Sequence, residues 1–580
     1  MKNLQKLATA TVLAAVVSTV PQSAWAEQPV QAKQEAEIQK QQVPADVIQK
    51  DQAIAKVRNL FDGLKELPYA EAYYVPDHIG MYSNPVWSLT FSKENFTQLK
   101  QEPQKKNEDG PRDVLHAILD AKTGQLLNFS RQNPDWIGDK EPSAQQARQA
   151  AADFLKKIAP DLSNRVQVDD VSSGTMGFYS QKGKKEYRWR FASVNFYETV
   201  HGIPFHSNCV SIHVDPYGHV VGMNVFFRFD SSKLPDPAKA IPLAKAEEIF
   251  SRQLKMNKMY MTGYTQRDEN GKFKWVEHPV LMFTPNNVPP INALTGQPAE
   301  TFFFRSWNEE PKKFTLDGLG KTLQAENKEE AKRLVTDFFK LDLTKFQFEE
   351  QQDPGFESDR EMWNFNWTEK NTGGSAEHPK FVHATFDAKS GQLMGLFMNE
   401  NENSDKPTIT LEEGQTKALE FLKSQLPTGE QEIFLMSSFD ESNFEQPPKW
   451  YDPSKEKAQQ NFKPEHVYSY TFNLGHQGVP IADLGYSVQI DAVTGQIVGV
   501  YLPVLKPIHL PDNKNTVSEE VAKETFLHDQ PLHLLYNWPE FHMQIAPEGQ
   551  LLYEPDFIHM GKFSYIDAFT GKTVVVDVNR

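Results

Sequence analysis

Three groups of side chains in this sequence could form a functional site, and each would serve a different kind of chemistry. Cys209 is a potential thiol nucleophile, and it is the only cysteine in the chain. His116 and His383 each precede an aspartate, Asp120 and Asp387 respectively, which suggests a His–Asp dyad for general base catalysis. Six turns that contain Asp or Asn could offer oxygen ligands to calcium.

The spacing of these residues argues against each site. Four residues along an extended strand span about 13 Å, so a histidine cannot hydrogen-bond an aspartate four residues further along that strand. One carboxylate per turn is fewer than the roughly six to eight oxygens that calcium takes. There is no GxSxG elbow, no HExxH motif and no complete P-loop. The histidines near the C-terminus also lack the i, i+4 spacing of a helical zinc site; they are His528, His533 and His542. The sequence therefore predicts no catalytic residue, no metal site and no cofactor.

The segments that would position these residues occur twice in the sequence. HGIP at 201–204 matches HQGVP at 476–480, so Gly202 and Pro204 correspond to Gly478 and Pro480. HAILDAKTGQLLNF at 116–129 matches HATFDAKSGQLMGL at 383–396. The order of the matches is the same in both halves, which predicts a duplicated block.

The chemically reactive residues do not recur between the two copies. Cys209 corresponds to Gly485, and His213 corresponds to Gln489. His206 likewise corresponds to Ala482. We therefore interpret the repeated stretch as scaffolding and not as an active site.

Each block contains three turns of the form Asp-x-x-Thr-Gly, flanked by alternating apolar residues. Such alternation on both sides of a Gly-containing turn predicts a β-hairpin. The Asp side chain can accept backbone N–H groups, and the Gly can adopt the positive φ that closes the turn. The predicted turn residues are Asp120 with Gly124, Asp215 with Gly218, Asn292 with Gly296, Asp387 with Gly391, Asp491 with Gly495, and Asp567 with Gly571.

An amphipathic helix is predicted before each hairpin. Four of these helices have a capping-box signature, with N-caps at Ser143, Asn327, Thr410 and Thr516. The segments 51–61 and 241–254 supply two more. The predicted fold is α+β, a tandem array of six units in which each helix packs on a small antiparallel sheet. The units form two homologous blocks of three.

The units ending in DAKTGQ or DAVTGQIVGV resemble the PepSY domain. The two stretches around HGIP and HQGVP look like the repeated domain of the YcdB/YcdC proteins of Gram-positive bacteria, and they are also similar to propeptides of thermolysin-like metalloproteases. The resemblance covers nearly all of 47–580, although Asp215-Pro216-Tyr217-Gly218 shortens one turn. It implies six PepSY-like units in a secreted module of the kind found beside proteases, which such modules inhibit or chaperone.

The expected boundaries follow the repeats. We predict a signal peptide at 1–26, a disordered spacer at 27–46 and a first block at 47–310, with units at about 47–139, 140–238 and 239–310. A linker at 311–322 precedes the second block at 323–580, with units at about 323–405, 406–511 and 512–580.

The N-terminus and the charge of the chain indicate where it works. Lys2 and Lys6 precede an apolar run, and Ala24-Trp25-Ala26 then predicts signal peptide cleavage after about Ala26 and a secreted mature chain. No later segment approaches the roughly 20 apolar residues of a membrane span. The formal charge of −16 disfavours binding to nucleic acid. A single cysteine also excludes an intramolecular disulfide.

These observations favour a secreted, non-enzymatic interaction protein of the cell envelope. It would bind or modulate an extracellular peptidase or another envelope protein, for example by capturing an extended peptide on an exposed sheet edge. One alternative is a hydrolase with a dispersed active site, and another is a passive spacer associated with the cell wall. The sequence leaves the oligomeric state open.

Overall fold

The computed structural model describes residues 43–76, 82, 84–96, 111–138, 140, 142–180, 185–267, 273–299, 310–351, 361–370, 380–399, 406–443, 447–455, 466–542, 544–555 and 562–578. The predicted signal peptide, 1–26, and most of the predicted spacer, 27–46, lie outside these ranges. No helix within them is long and apolar enough to cross a lipid bilayer.

Six helices of at least 11 residues lie in the described ranges. They are α1 (Lys50–Leu60), α2 (Ala144–Ile158), α3 (Leu243–Gln253), α4 (Lys328–Phe339), α5 (Leu411–Gln425) and α6 (Glu519–Asp529). The predicted N-caps of α2, α4 and α5 are confirmed, because the side chains of Ser143, Asn327 and Thr410 accept backbone N–H groups of the first turn.

The predicted N-cap of α6 at Thr516 is wrong, since the cap is Ser518, whose side chain accepts the N–H of Val521. Thr516 Oγ1 instead accepts a hydrogen bond from Lys258 Nζ at 3.0 Å. The next residue, Val517, donates its N–H to the carbonyl of Ala568 at 2.8 Å. These contacts hold 516–517 in the loop, and the helix begins two residues later than predicted.

The described residues of the predicted first block contain eleven strands. Its first unit has β1 (Tyr69–Val75), β2 (Val86–Ser92), β3 (Val114–Asp120) and β4 (Leu126–Gln132). Its second unit has β5 (Val166–Ser180), β6 (Lys185–Val200), β7 (Ile203–Val214) and β8 (Val220–Phe226). Its third unit has β9 (Met256–Arg267), β10 (Phe273–Pro285) and β11 (Ile291–Asn292).

The second block follows the same order. After β12 (Lys312–Gly318), its first unit has β13 (Phe346–Gln351), β14 (Met362–Glu369), β15 (Phe381–Asp387) and β16 (Leu393–Asn399). Its second unit has β17 (Gly429–Asp440), β18 (Val467–His476), β19 (Val479–Asp491) and β20 (Ile497–Tyr501). The last unit has β21 (Leu532–Asn537), β22 (Glu540–Phe541), β23 (Gln544–Ile545), β24 (Gln550–Pro555), β25 (Lys562–Asp567) and β26 (Thr573–Asp577).

The fold is α+β, but the expected small separate sheets are replaced by sheets of 11 and 13 strands. One cause is a pairing that we call a junction, in which the last strands of two neighbouring units meet edge to edge, and the other is the parallel pairing of β7 with β21 and of β19 with β9. β4 pairs with β8, with Phe129 opposite Met223, and β16 pairs with β20, with Leu396 opposite Val500. The segment predicted as a linker, 311–322, contains β12, which pairs with β17 along its whole length.

The third and sixth units exchange their first hairpins. β11 of the third unit pairs with β24 of the sixth, with Ile291 opposite Tyr553. β25 of the sixth unit pairs with β10 of the third, with Met282 opposite Asp567. Helix α3 accordingly packs on β21 and β11, whereas α6 packs on β9 and β10. Neither unit is complete without the other, so the two blocks are interlocked.

The hydrophobic cores reflect this arrangement. One core lies under α1 and α2 and contains Phe129, Ile212 and Met223. A larger core extends from the third unit through the second block, and it also includes Phe205 of the first block and Tyr536 of the sixth unit. Burial of apolar surface in this larger core therefore stabilises the contact between the two blocks.

Candidate functional site

The predicted turn residues bind their own backbone. Asp120 Oδ1 accepts the N–H groups of Lys122 at 2.8 Å and Thr123 at 2.7 Å. Asp491 Oδ1 does the same with Val493 and Thr494, both at 2.7 Å. The corresponding side chains of the other turns also accept backbone N–H groups, and they are Asp215, Asn292, Asp387 and Asp567. These oxygens serve the turns and are dispersed over the molecule.

The predicted glycines lie where a positive φ closes the turn. Gly124, Gly218, Gly296, Gly391, Gly495 and Gly571 have φ between 67° and 87°. At Gly391 space is also restricted, since a Cβ would lie 1.8 Å from the carbonyl oxygen of Ala325. A side chain at this position would therefore require the neighbouring loop to move.

The repeated HGIP and HQGVP stretches form a second kind of turn. His201 and Gly202, with φ of 52° and 79°, connect β6 to β7, and Gln477 and Gly478, with φ of 51° and 79°, connect β18 to β19. Two positive φ values in a two-residue loop are typical of a type I′ hairpin turn. The repeat prolines enter the next strands in matched places, with Pro204 opposite Thr199 and Pro480 opposite Gly475.

The candidate reactive residues of the first copy do not assemble into a nucleophilic site. Burial raises the pKa of the Cys209 thiol to about 11, which favours the unreactive protonated form. Burial lowers the pKa of His213 to about 4, and its ring stacks on Phe191 at 4.6 Å. His116 Nδ1 contacts the hydroxyl of Thr90 at 3.1 Å and not Asp120.

Sequence reasoning missed the His–Asp contacts of the structure, one of which lies in a predicted turn. His219 Nδ1 lies 2.8 Å from Asp215 Oδ2, and the imidazole stacks on Trp136 at 4.3 Å. Asp215 also accepts the backbone N–H of His219, so the contact belongs to the shortened turn. The Asp-Pro-Tyr-Gly-His sequence was the available signal. Within the described ranges, no group of three or more His, Cys, Asp or Glu side chains is arranged to hold a metal ion.

The most distinctive surface is the outer edge of β26, the last strand of the last unit. β4, β8, β16 and β20 occupy the same place in their units, and each is covered by the partner strand of its junction. β26 pairs with β25 on one side, and no described strand pairs with its other side. We call the backbone of Thr573, Val574 and Val575 on this outer side the free edge.

The register of the strands identifies Val575 as the counterpart of the central residue of each junction strand. Val575 lies opposite Ser564 in the last hairpin, just as Leu396 lies opposite Ala384 in the fourth unit. The counterparts Phe129, Met223, Leu396 and Val500 are exposed by only 2%, 0%, 3% and 6%, whereas Val575 is 54% exposed. The difference arises because a neighbouring strand and its helix cover the four counterparts.

The free edge presents unpaired hydrogen-bonding groups. Asp567 donates its N–H to the carbonyl of Lys572 at 2.9 Å, so these two residues form a hydrogen-bonded pair. Hydrogen-bonded and non-hydrogen-bonded pairs alternate along an antiparallel ladder, and the next pairs of the non-hydrogen-bonded kind contain Thr573 and Val575. The N–H and C=O groups of Thr573 and Val575 therefore point away from β25. At the end of the strand, the carbonyl of Asp577 accepts a hydrogen bond from Gln266 Nε2 at 3.0 Å. The open part is thus short, but each existing junction also pairs only three residues per strand.

Two stretches of the chain, residues 75–224 and 328–501, match the family described as the YcdB, YcdC repeated domain. Together they make up more than half of the 580 residues. The chain belongs to the YcdB, YcdC repeated-domain family. This confirms the resemblance seen in the sequence. Each copy of the YcdB, YcdC repeated domain contains one junction, whereas the third and sixth units lie outside both copies.

Further comparisons add little to the YcdB, YcdC assignment. No curated protein sequence matches the chain. The Bacillus megaterium YpeB C-terminal domain is 16% identical over 43% of this chain and 95% of that one, with a TM-score of 0.25. A copper-containing benzylamine oxidase from Hansenula polymorpha is 8% identical over 82% of this chain and 84% of that one, with a TM-score of 0.12. With scores this low, neither structure informs the fold or the function of this chain.

Proposed function

We propose that this chain is a secreted, non-enzymatic interaction protein of the cell envelope that binds an extended segment of a partner protein as an added strand on β26. The observation that carries the proposal is the free edge, with Val575 54% exposed where its four counterparts are buried. Unpaired N–H and C=O groups on a sheet edge bind extended peptides through main-chain hydrogen bonds.

The composition of β26 suits this role. Edge strands that must stay unpaired commonly carry lysine or proline, and β12 has Lys312 and Lys313 at its start. β26 reads TVVVD and has neither lysine nor proline, and the edge strand β1, YAEAYYV, also lacks both but has a charged residue, Glu71, within the strand. An apolar edge without such protection favours strand addition.

The proposed partner is an extracellular peptidase or another envelope protein. The sequence resemblance to propeptides of metalloproteases supports the peptidase, and the signal-peptide pattern around Lys2, Lys6 and Ala26 supports the compartment. The non-enzymatic role is supported by the turn carboxylates, which are engaged by backbone N–H groups, and by the raised pKa of Cys209.

The experiment uses a fluorescent nine-residue peptide, Thr-Val-Thr-Val-Lys-Val-Thr-Val-Thr, and measures its binding by anisotropy. The wild-type chain should bind it, and Val575→Pro should abolish binding because proline removes the outward N–H without removing a bond to β25. Tyr69→Pro, on the exposed start of the edge strand β1, is the matched control and should bind like the wild type. Absence of binding, or equal binding by Val575→Pro, would overturn the proposal.

A further inference from the structure

One helix position distinguishes the last unit from three of the four units that form junctions. Phe154, Phe338 and Phe421 lie at equal distances from the N-caps of α2, α4 and α5. In α6 the same distance from the N-cap Ser518 leads to Asp529. An aromatic side chain is therefore replaced by a carboxylate in the unit whose edge is free.

At the junction of β4 with β8, this helix position reaches the strand of the neighbouring unit. The ring of Phe154, in the second unit, lies 5.5 Å from the ring of Phe129, in the first unit. Phe129 is the residue that faces Met223 across the junction. Phe338 and Phe421 meet across the other junction, 6.3 Å apart. At the first junction, the side chain at this position thus contacts the residue that lies opposite the central residue of its own last strand, and at the second junction it contacts the same position of the neighbouring helix.

The same geometry directs Asp529 towards a strand seated on the free edge. Asp529 Oδ2 accepts a hydrogen bond from Thr573 Oγ1 at 2.5 Å, and Thr573 lies on the same face of β26 as Val575. Hydrogen bonds from Thr573 and His528 hold the pKa of Asp529 below its usual value, so the group is a carboxylate at neutral pH. Its side chain is 36% exposed and can accept further hydrogen bonds.

We propose that the residue of the bound strand opposite Val575 is lysine or arginine. This inference rests on the proposed function and specifies its ligand. The aliphatic stem of the basic side chain would cover Val575, while its cation would bind the Asp529 carboxylate. Basic groups of the described residues on the same side include His528 on α6 and Lys562, which lies opposite Asp577. Asp577, two residues after Val575, adds a second acidic side chain to this face.

A second copy of this chain fits the edge less well than such a peptide. If the β26 strands of two copies paired antiparallel, with the two Val575 residues opposite each other, the two Asp529 carboxylates would lie close together. At the existing junctions, aromatic rings lie in this place. Like charges at a shared contact are destabilising. The charge of the edge therefore favours a foreign basic strand over self-association.

The test compares three peptides that differ only at the central residue, which is Lys, Leu or Glu. The wild-type chain should bind the Lys peptide about fivefold more tightly than the Glu peptide, as expected for an exposed ion pair. Asp529→Asn keeps the shape but removes the charge, and it should reduce this ratio to about one. Asp529→Phe introduces the aromatic residue found at this position of α2, α4 and α5, and it should make the Leu peptide the tightest ligand. Glu524→Gln, on an exposed position of the same helix, is the control and should leave the ratio unchanged.

The outcomes separate this inference from the proposed function. If all three peptides bind equally and Val575→Pro abolishes binding, the function stands and the basic specificity is wrong. If no peptide binds, both fail. If sedimentation shows a dimer of the wild-type chain that Val575→Pro dissolves, the occupant is a second copy and the inference is overturned.

Discussion

The hydroxyl of Tyr260, in the third unit, donates a hydrogen bond of 2.9 Å to the carbonyl of Pro511, just before the sixth unit. The reciprocal bond joins Tyr536, in the sixth unit, to the carbonyl of Pro235, before the third unit, also at 2.9 Å. These matched contacts accompany the hairpin exchange and give the two blocks a pseudo-two-fold relationship. The parallel bridges repeat it, with Tyr536 paired to Phe205.

The exchange predicts that both tyrosine hydroxyls stabilise the whole chain. Tyr260→Phe and Tyr536→Phe should each lower the free energy of unfolding by about 1 kcal/mol, because each leaves a carbonyl between the blocks without its partner. Chemical denaturation measures this change. Tyr69→Phe, which alters an exposed tyrosine, is the control and should have little effect. Equal effects of all three substitutions would contradict the importance of the reciprocal bonds.

The tight turn at Gly391 predicts that alanine substitutions at two nearby glycines will have very different effects on stability. Gly391→Ala should lower the free energy of unfolding by about 2 kcal/mol or more, since φ is 71° and the new Cβ would meet the carbonyl oxygen of Ala325. Gly395→Ala should be close to neutral, because no atom lies within 4 Å of its added Cβ. Thermal unfolding of the two variants provides the comparison, and similar melting temperatures would count against the turn geometry.

The buried imidazole of His213 predicts sensitivity to acid. Burial lowers its pKa to about 4 in the folded chain, from the usual value of 6.5 for histidine. The unfolded chain therefore binds the proton first, and stability is lost as the pH falls from about 6.5 towards 4. His213→Gln, which installs the residue found at Gln489 in the second copy, should reduce the loss of melting temperature between pH 7 and pH 5. An unchanged pH profile would show that His213 does not contribute to it.

The local elements could be predicted from the sequence because short-range chemistry specifies them. Asp491 and Gly495 define their turn within five residues of chain, and Thr410 with Glu413 defines the start of α5 in the same way. The duplication was equally visible, and the matched family stretches lie in both blocks.

The exchange of hairpins could not be predicted in this way. β10 and β24 have similar apolar patterns, so either could pair with β11 or β25, and only long-range packing decides between them. The pairing of Met282 with Asp567 is one result of such long-range packing. The cap of α6 was missed for the same reason, since contacts of Thr516 with Lys258 and of Val517 with Ala568 come from distant segments.

The free edge could not be predicted from the local sequence either. An exposed sheet edge was predicted as a binding surface, but the sequence of β26 resembles that of the other last strands. Val575 differs from Val500 only in what lies beside it, and that depends on the partner strand β16. Identifying the edge required the strand order of the assembled sheets.

Amide hydrogen exchange at Thr573 and Val575, measured with and without the Lys-centred peptide, tests the central claim most directly. Strand addition predicts that the amides of both residues exchange more slowly when the peptide is bound, because their N–H groups then donate to the added strand. The amide of Val574, which faces β25, should change much less. Binding of the peptide with unchanged exchange at Thr573 and Val575 would contradict the claim that β26 is the binding edge.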